Sequence, residues 1–264
     1  MSEPSESDAT DSFGPEPFEP DPQDVRRFGA ALGALDAALD WEELGRAYCH
    51  AGGEEFFPAE QRAAIADAGL QFAADLGQVL APRGRSLYVG AGVAELAPLA
   101  FERLVLHRAV HAIGLDGPET RALNRGFAAV EAELELALLR IETTPLAQLE
   151  ARAFDHGWMV SVLNDPEAFP ALSASLYERG TPEPGEVERD AARARELARE
   201  LLARLACGGA GARLSTSDDE LRLLAPLCAE LALQLRVPER ARLSPVVGDA
   251  VRLCRVVAAP AASG

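Results

Sequence analysis

In the stretch SLYVGAG, residues 86–92, Gly90 and Gly92 follow a run of strand-forming side chains. A turn without β-carbons at those two positions lets a ligand come against bare backbone. Asp116 closes a second apolar run, VHAIGLD, and its carboxylate offers acceptors to two donors at once. The same residue also suits the cap of a helix beginning near Pro118, and both readings stay open. Glu142 closes a third run, LALLRIE, either as a contact acid or as a solvated turn acid. After a fourth run, HGWMVSVL, come Asn164 and Asp165. Asp165 is placed either for proton transfer or to cap the helix that follows Pro166. Tyr48 and His50 stand beside the Gly52-Gly53 bend. There they serve as acid–base groups on a mobile cover, or they pack one helix end against the sheet.

These residues fall at the ends of strand-like runs, so the alternation of elements sets the site. Helical spacing runs from Pro22 to Leu80: Val25, Phe28, Leu32 and Leu35 form one stripe, and Ile65, Leu70, Phe72, Leu76 and Leu80 fall on later turns. Pro82 and Gly84 end that region. Strand and helix patterns then alternate from SLYVG to ARLSTS and the helix after it, which implies a mainly parallel sheet with helices on both faces. Between LQLRVPERARLSP and AVRLCRVV there is only VVGD, too short for a crossover helix, so the last pair is antiparallel. The expected layout is an acidic tail without order over 1–23, a helical lid region over 24–82, a sheet domain over 83–258 and a disordered end over 259–264.

Composition narrows the chemistry. The 264 residues carry a formal charge of −17, and eight acids with no base lie in the first 24 residues, leaving −9 for the rest. An acidic chain repels a phosphate backbone, so the sequence points to a small-molecule substrate and to no nucleic acid. There is no lysine, which rules out a phosphate-loop lysine, a pyridoxal Schiff base and any lysine nucleophile. The four cysteines lack the paired spacing of zinc sites, so no metal is expected. With neither a signal-like start nor a long apolar run, no membrane span is expected, and the chain reads as cytoplasmic.

Five strand-helix units closed by an antiparallel hairpin, behind a helical extension, resemble the class I S-adenosylmethionine-dependent methyltransferases over roughly residues 83 to 258. The resemblance implies a Rossmann-like seven-stranded sheet and methyl transfer from S-adenosylmethionine. LYVGAG stands where that family has its glycine-rich motif, with Gly90 and Gly92 as its first two glycines near the methionine portion of the cofactor. Tyr88 occupies a position that is commonly acidic there, and Ala94 replaces the common third glycine. Asp116 matches the acid that binds the ribose hydroxyls, and Glu142 falls near the adenine-contacting acid. Asn164 and Asp165 would face the transferred methyl, with Asp165, His50 or Tyr48 as general base. Two other readings stand beside this one. A nicotinamide dinucleotide fingerprint needs a glycine where Glu95 stands, and a carboxylate there opposes a pyrophosphate. A methyltransferase-like scaffold without catalysis is the other.

Overall fold

The computed structural model describes residues 18–49, 53–246 and 248–260. Helix α1 (Pro22–Ala38) begins where the helical spacing begins, because Asp21 accepts from the amide of Gln23 at 2.7 Å and Pro22 fits the first turn. Its buried stripe starts at Phe28, and Val25 is exposed. Helix α2 (Trp41–Tyr48) is capped by Asp40, whose carboxylate accepts from the amide of Glu43 at 2.9 Å. A 3₁₀ turn over Gly53–Glu55 leads to α3 (Ala59–Val79). Leu70 faces solvent, because α3 presents Gly69 to the next helix: a β-carbon there would lie 2.8 Å from that of Ala97. The glycine lets the two helices cross closely.

The sheet comprises β1 (Arg85–Val89), β2 (Ala109–Ile113), β3 (Ile141–Glu142), β4 (His156–Met159), β5 (Ala212–Ser217), β6 (Leu233–Arg236), β7 (Arg242–Leu243) and β8 (Ala250–Ala258). The order is β3-β2-β1-β4-β5-β8-β6, with β7 also on β8. Strands β1 to β5 pair in parallel, and β8 runs antiparallel to β5, β6 and β7. The sheet therefore has eight strands rather than seven. The segment expected as one strand is divided into β6 and β7, with Pro238, which has no amide to donate, in the break. The crossover helices are α4 (Leu96–Leu104), α5 (Pro118–Leu134), α6 (Pro170–Leu176), α7 (Pro184–Arg204) and α8 (Asp218–Glu230). The third strand is only two residues long. On its outer edge the side chain of Asn124 accepts from the amide of Ile141 at 2.8 Å and donates to its carbonyl at 2.9 Å, closing the edge as another strand would.

Alternation along β1 divides the core between the two faces of the sheet. Tyr88 packs with Leu35, Phe72, Phe127 and Trp158 under the N-terminal helices, while Leu87 and Val89 pack with Leu201, Leu214 and Leu224 under α7 and α8. The N-terminal helices thus share a core with the sheet. A buried polar network also crosses it. Tyr88 donates to Glu102 at 2.6 Å, and Arg108 bonds Glu102 at 2.9 Å and Ser86 at 2.8 Å and reaches Asp155. His156 places Nδ1 2.9 Å from Glu102 without the alignment of a hydrogen bond, and Nε2 3.1 Å from Ser215. Burial opposes the charge on Glu102, but His156, Arg108 and Ser86 hold its carboxyl below the ordinary value. Among the described residues no helix is long and apolar enough to cross a membrane.

Candidate functional site

Strand order reverses between β1 and β4, the point at which open α/β sheets form a crevice outside the carboxyl ends of their strands. At the end of β1, Gly90 takes φ +71°, and its amide donates to the carbonyl of Ile113 at 2.8 Å, which ties the turn to β2. A β-carbon at Gly90 would lie 2.5 Å from the side chain of Val162, so glycine is required for both reasons. A 3₁₀ turn over Val93–Glu95 then leads into α4. Glu95 folds back to accept from the amide of Gly92 at 2.9 Å and from the Trp158 indole at 3.2 Å. Its burial raises its pKa from 4.5 to about 7, against the pull of those two donors.

Over the turn sits Tyr48, from the end of α2. Its hydroxyl donates to Glu119 in the first turn of α5 and accepts from the amide of Val93. An ideal β-carbon at Gly92 would lie 2.6 Å from that hydroxyl and 2.7 Å from Glu119 Oε1. Burial raises Glu119 from 4.5 to about 7; the Tyr48 hydrogen bond opposes that, and the charges of Glu95, Asp165 and Glu167 add to it. Burial, and then Glu119, push the Tyr48 phenol well above its ordinary value, so it stays a donor. Phe56 stacks on its ring and Phe57 meets it edge-on.

Across the crevice the loop after β4 is fixed from α8. Glu220 accepts from the amides of Val162 at 2.8 Å and Leu163 at 3.2 Å, while its other oxygen takes Thr216 and Ser217. Ser161, at φ +59°, donates to Asp249 at 2.6 Å. Asp165 gives one oxygen to the amides of Glu167 and Ala168, at 2.9 and 2.7 Å. Between the two sides lies a cleft of about 380 Å³, with Gly90, Ala91, Ile113, Leu115, Glu119, Thr144, Leu146, Asp165 and Phe169 among its walls. Arg193 also lines it, pairing with Asp190 at 3.1 Å and lying over the Phe169 ring.

Of the residues singled out in the sequence, Gly90 and Asp165 line the cleft, and Tyr48 touches its wall through Glu119. Gly92 lies just behind, and Ala94 is half-buried in the 3₁₀ turn. Tyr88 points into the core to Glu102. Asp116 sits at the mouth between the lining residues Leu115 and Gly117, its side chain 77% exposed and paired with Arg121 at 2.8 Å. It does not cap α5, whose N-cap is Gly117. Glu142 is exposed beside the lining Thr143 and accepts from Thr144 at 3.3 Å. Asn164 is buried and donates to the Tyr177 hydroxyl at 2.6 Å. His50 lies outside the described residues. Glu119 was not singled out; its signal in the sequence is an acid directly after Pro118 at the start of a helix following Asp116.

Neither a protein-family model nor a curated sequence matches the chain. Solved structures resemble it. A SAM-dependent methyltransferase from Aquifex aeolicus is 13% identical at a TM-score of 0.42, over 74% of this chain and 98% of that one. The T. thermophilus 16S rRNA N2 G1207 methyltransferase, in complex with AdoMet and guanosine, is 16% identical at 0.40, over 76% and 41%. A ribosomal protein L11 methylase from Lactobacillus delbrueckii subsp. bulgaricus is 17% identical at 0.40, over 77% and 81%. The chain spans 64% and 62% of two further matching chains from Pyrococcus horikoshii. The last strand is inserted antiparallel beside β5, so the mainly parallel, Rossmann-like sheet with an antiparallel C-terminal end is the arrangement that the sequence implied. The expectation of a small-molecule substrate and no nucleic acid is overturned, since structures of this kind include an rRNA methyltransferase and a ribosomal-protein methylase. Net charge misled because it belongs to the whole chain and does not fix the surface a substrate meets.

Proposed function

We propose that the protein is a methyltransferase that binds S-adenosylmethionine in the cleft at the ends of β1, β2 and β4. The observation that carries this reading is the left-handed Gly90 turn opening on the switch-point crevice, with carboxyls facing the same space. Glu119, Asp165 and Glu167 suit a cationic ligand, and the lining Arg193 is already paired. A dinucleotide fits poorly: Glu95 already takes the Gly92 amide, the donor a pyrophosphate would use.

In this reading Gly90 and Gly92 receive the methionine portion, Ile113, Leu146 and Phe169 supply apolar walls, and Asp116 and Glu142 lie at the mouth for the ribose and adenine. When bound, S-adenosylmethionine supplies a methyl group on an already activated sulfonium. The chain therefore contributes mainly orientation and exclusion of water. Glu220 holds the loop of Val162 to Asp165 at a fixed distance from the turn. Asp165 keeps one oxygen outside its two backbone hydrogen bonds and accepts a proton when the acceptor's nucleophile carries one. Tyr48 and its helix close the turn from above. A thermal-shift comparison tests the assignment: S-adenosylmethionine and S-adenosylhomocysteine raise the melting temperature, and NAD and NADPH do not. A shift with the dinucleotides alone would refute it.

A further inference from the structure

Four carboxylates face the cleft or its glycine turn. Glu95 has committed one oxygen to the Gly92 amide and the other to Trp158. Asp165 is tied to backbone amides on the far side, and Glu167 lies near Gly117, 3.8 Å from an ideal β-carbon there. Glu119 lines the cleft and also bounds the space over Gly92, where its hydrogen-bond partner is the Tyr48 hydroxyl. Tyr88, at the position where the resembled family commonly has an acid, turns away to Glu102. The turn thus receives no carboxylate from its own strand, and α5 brings one from the opposite side.

Resting on the methyltransferase reading, we propose that Glu119 receives the α-ammonium group of the cofactor's methionine portion, with Tyr48 sharing the same carboxylate from α2. A carboxylate has acceptor sites for both donors. The groups facing Glu119 are Tyr48 from α2, Glu95 from the turn after β1, and Asp165 and Glu167 from the loop after β4. All three acids repel a further negative charge, and a ligand ammonium relieves that repulsion. Near neutral pH, binding therefore breaks the carboxylic O–H bond in the fraction of molecules that hold it, and the proton passes to the buffer.

Two ligands isolate this contact. S-adenosylhomocysteine carries the amino-acid end, and 5′-methylthioadenosine keeps the nucleoside and lacks it. Calorimetry near pH ~6.5, in buffers of different ionisation enthalpy, is expected to show proton release with the first ligand and none with the second. Glu119→Gln is expected to weaken S-adenosylhomocysteine by about tenfold or more and to leave methylthioadenosine within about twofold. The proton count on the wild-type protein keeps the test valid if the variant folds poorly. Equal losses for both ligands, no loss for either, or wild-type binding of S-adenosylhomocysteine without proton release would overturn the assignment and leave the methyltransferase reading standing. Failure of the wild-type protein to bind either ligand would overturn both.

Discussion

Glu95→Gln converts the electrostatics of the glycine turn into a stability measurement. Glu95 is 6% exposed, and burial lifts its pKa from 4.5 to about 7 even though two donors point at it. The native state therefore holds a proton that the unfolded chain has released. Stability from this residue is fully present below the ordinary carboxylate pKa and is lost as pH rises through the native value, up to about 3 kcal/mol in all. Glutamine mimics the protonated acid in shape and in having one donor group, and it cannot ionise. Urea unfolding of wild type and variant from about pH 4.5 to about pH 8 should show near-equal stability at the acid end. At the alkaline end the variant should be the more stable by up to about 3 kcal/mol. Relief of Glu119 from the charge of Glu95 adds in the same direction. Taking the difference between the two proteins removes groups that titrate alike in both. Parallel stability curves across this range would refute the placement of a buried, titrating carboxyl at the turn.

Gly90→Ala is expected to destabilise the fold by about 2–3 kcal/mol, from the left-handed backbone and the contact with Val162. Adding Val162→Ala should recover part of the contact component, and an unaltered urea midpoint for the single variant would contradict the turn geometry. Glu102→Gln should cost about 3–5 kcal/mol at neutral pH, because it leaves Arg108 and His156 facing a neutral amide in the core. Wild-type Glu102 is held below its ordinary value, so its contribution is present above that range and is lost as pH falls through the native pKa; the gap between the two proteins should narrow in acid. Asp116→Ala should weaken S-adenosylmethionine binding by about 2–4 kcal/mol if the carboxylate takes the ribose hydroxyls. Its exposed ion pair with Arg121 is worth at most about 1 kcal/mol, so the melt should barely move, and a large loss of stability with intact affinity would reverse the interpretation.

The sheet was legible because each strand and helix announced itself within a few residues, and the short VVGD link left no room for another crossover. Gly90 was legible for a local reason too, since a tight turn after a strand calls for a residue that tolerates positive φ. The length of β3 was not. LALLRIE has the apolar character of a strand, but only Ile141 and Glu142 pair with β2, and Asn124 from α5 closes the outer edge. Tyr88 read as a departure at a binding motif; its hydroxyl has a buried partner in Glu102, contributed by a helix whose facing side the sequence does not specify. Glu119 escaped notice because its environment is non-local. Tyr48 lies 71 positions away in the chain, and only folding brings its hydroxyl to that carboxylate.

Calorimetric titration of the wild-type protein beside Gly92→Val measures whether the glycine turn holds S-adenosylmethionine. At Gly92 the backbone is extended, φ −125°, and the atoms nearest an added β-carbon are side-chain ends, Tyr48 Oη and Glu119 Oε1. Valine fills the space over the turn and displaces the Tyr48 hydroxyl from Glu119, so the variant should melt below the wild type, and the titration is run on protein that a melt shows to be folded. Saturable one-to-one binding by the wild-type protein and none by the folded variant is expected. No saturable binding by the wild-type protein, or equal affinity in the two, would contradict it.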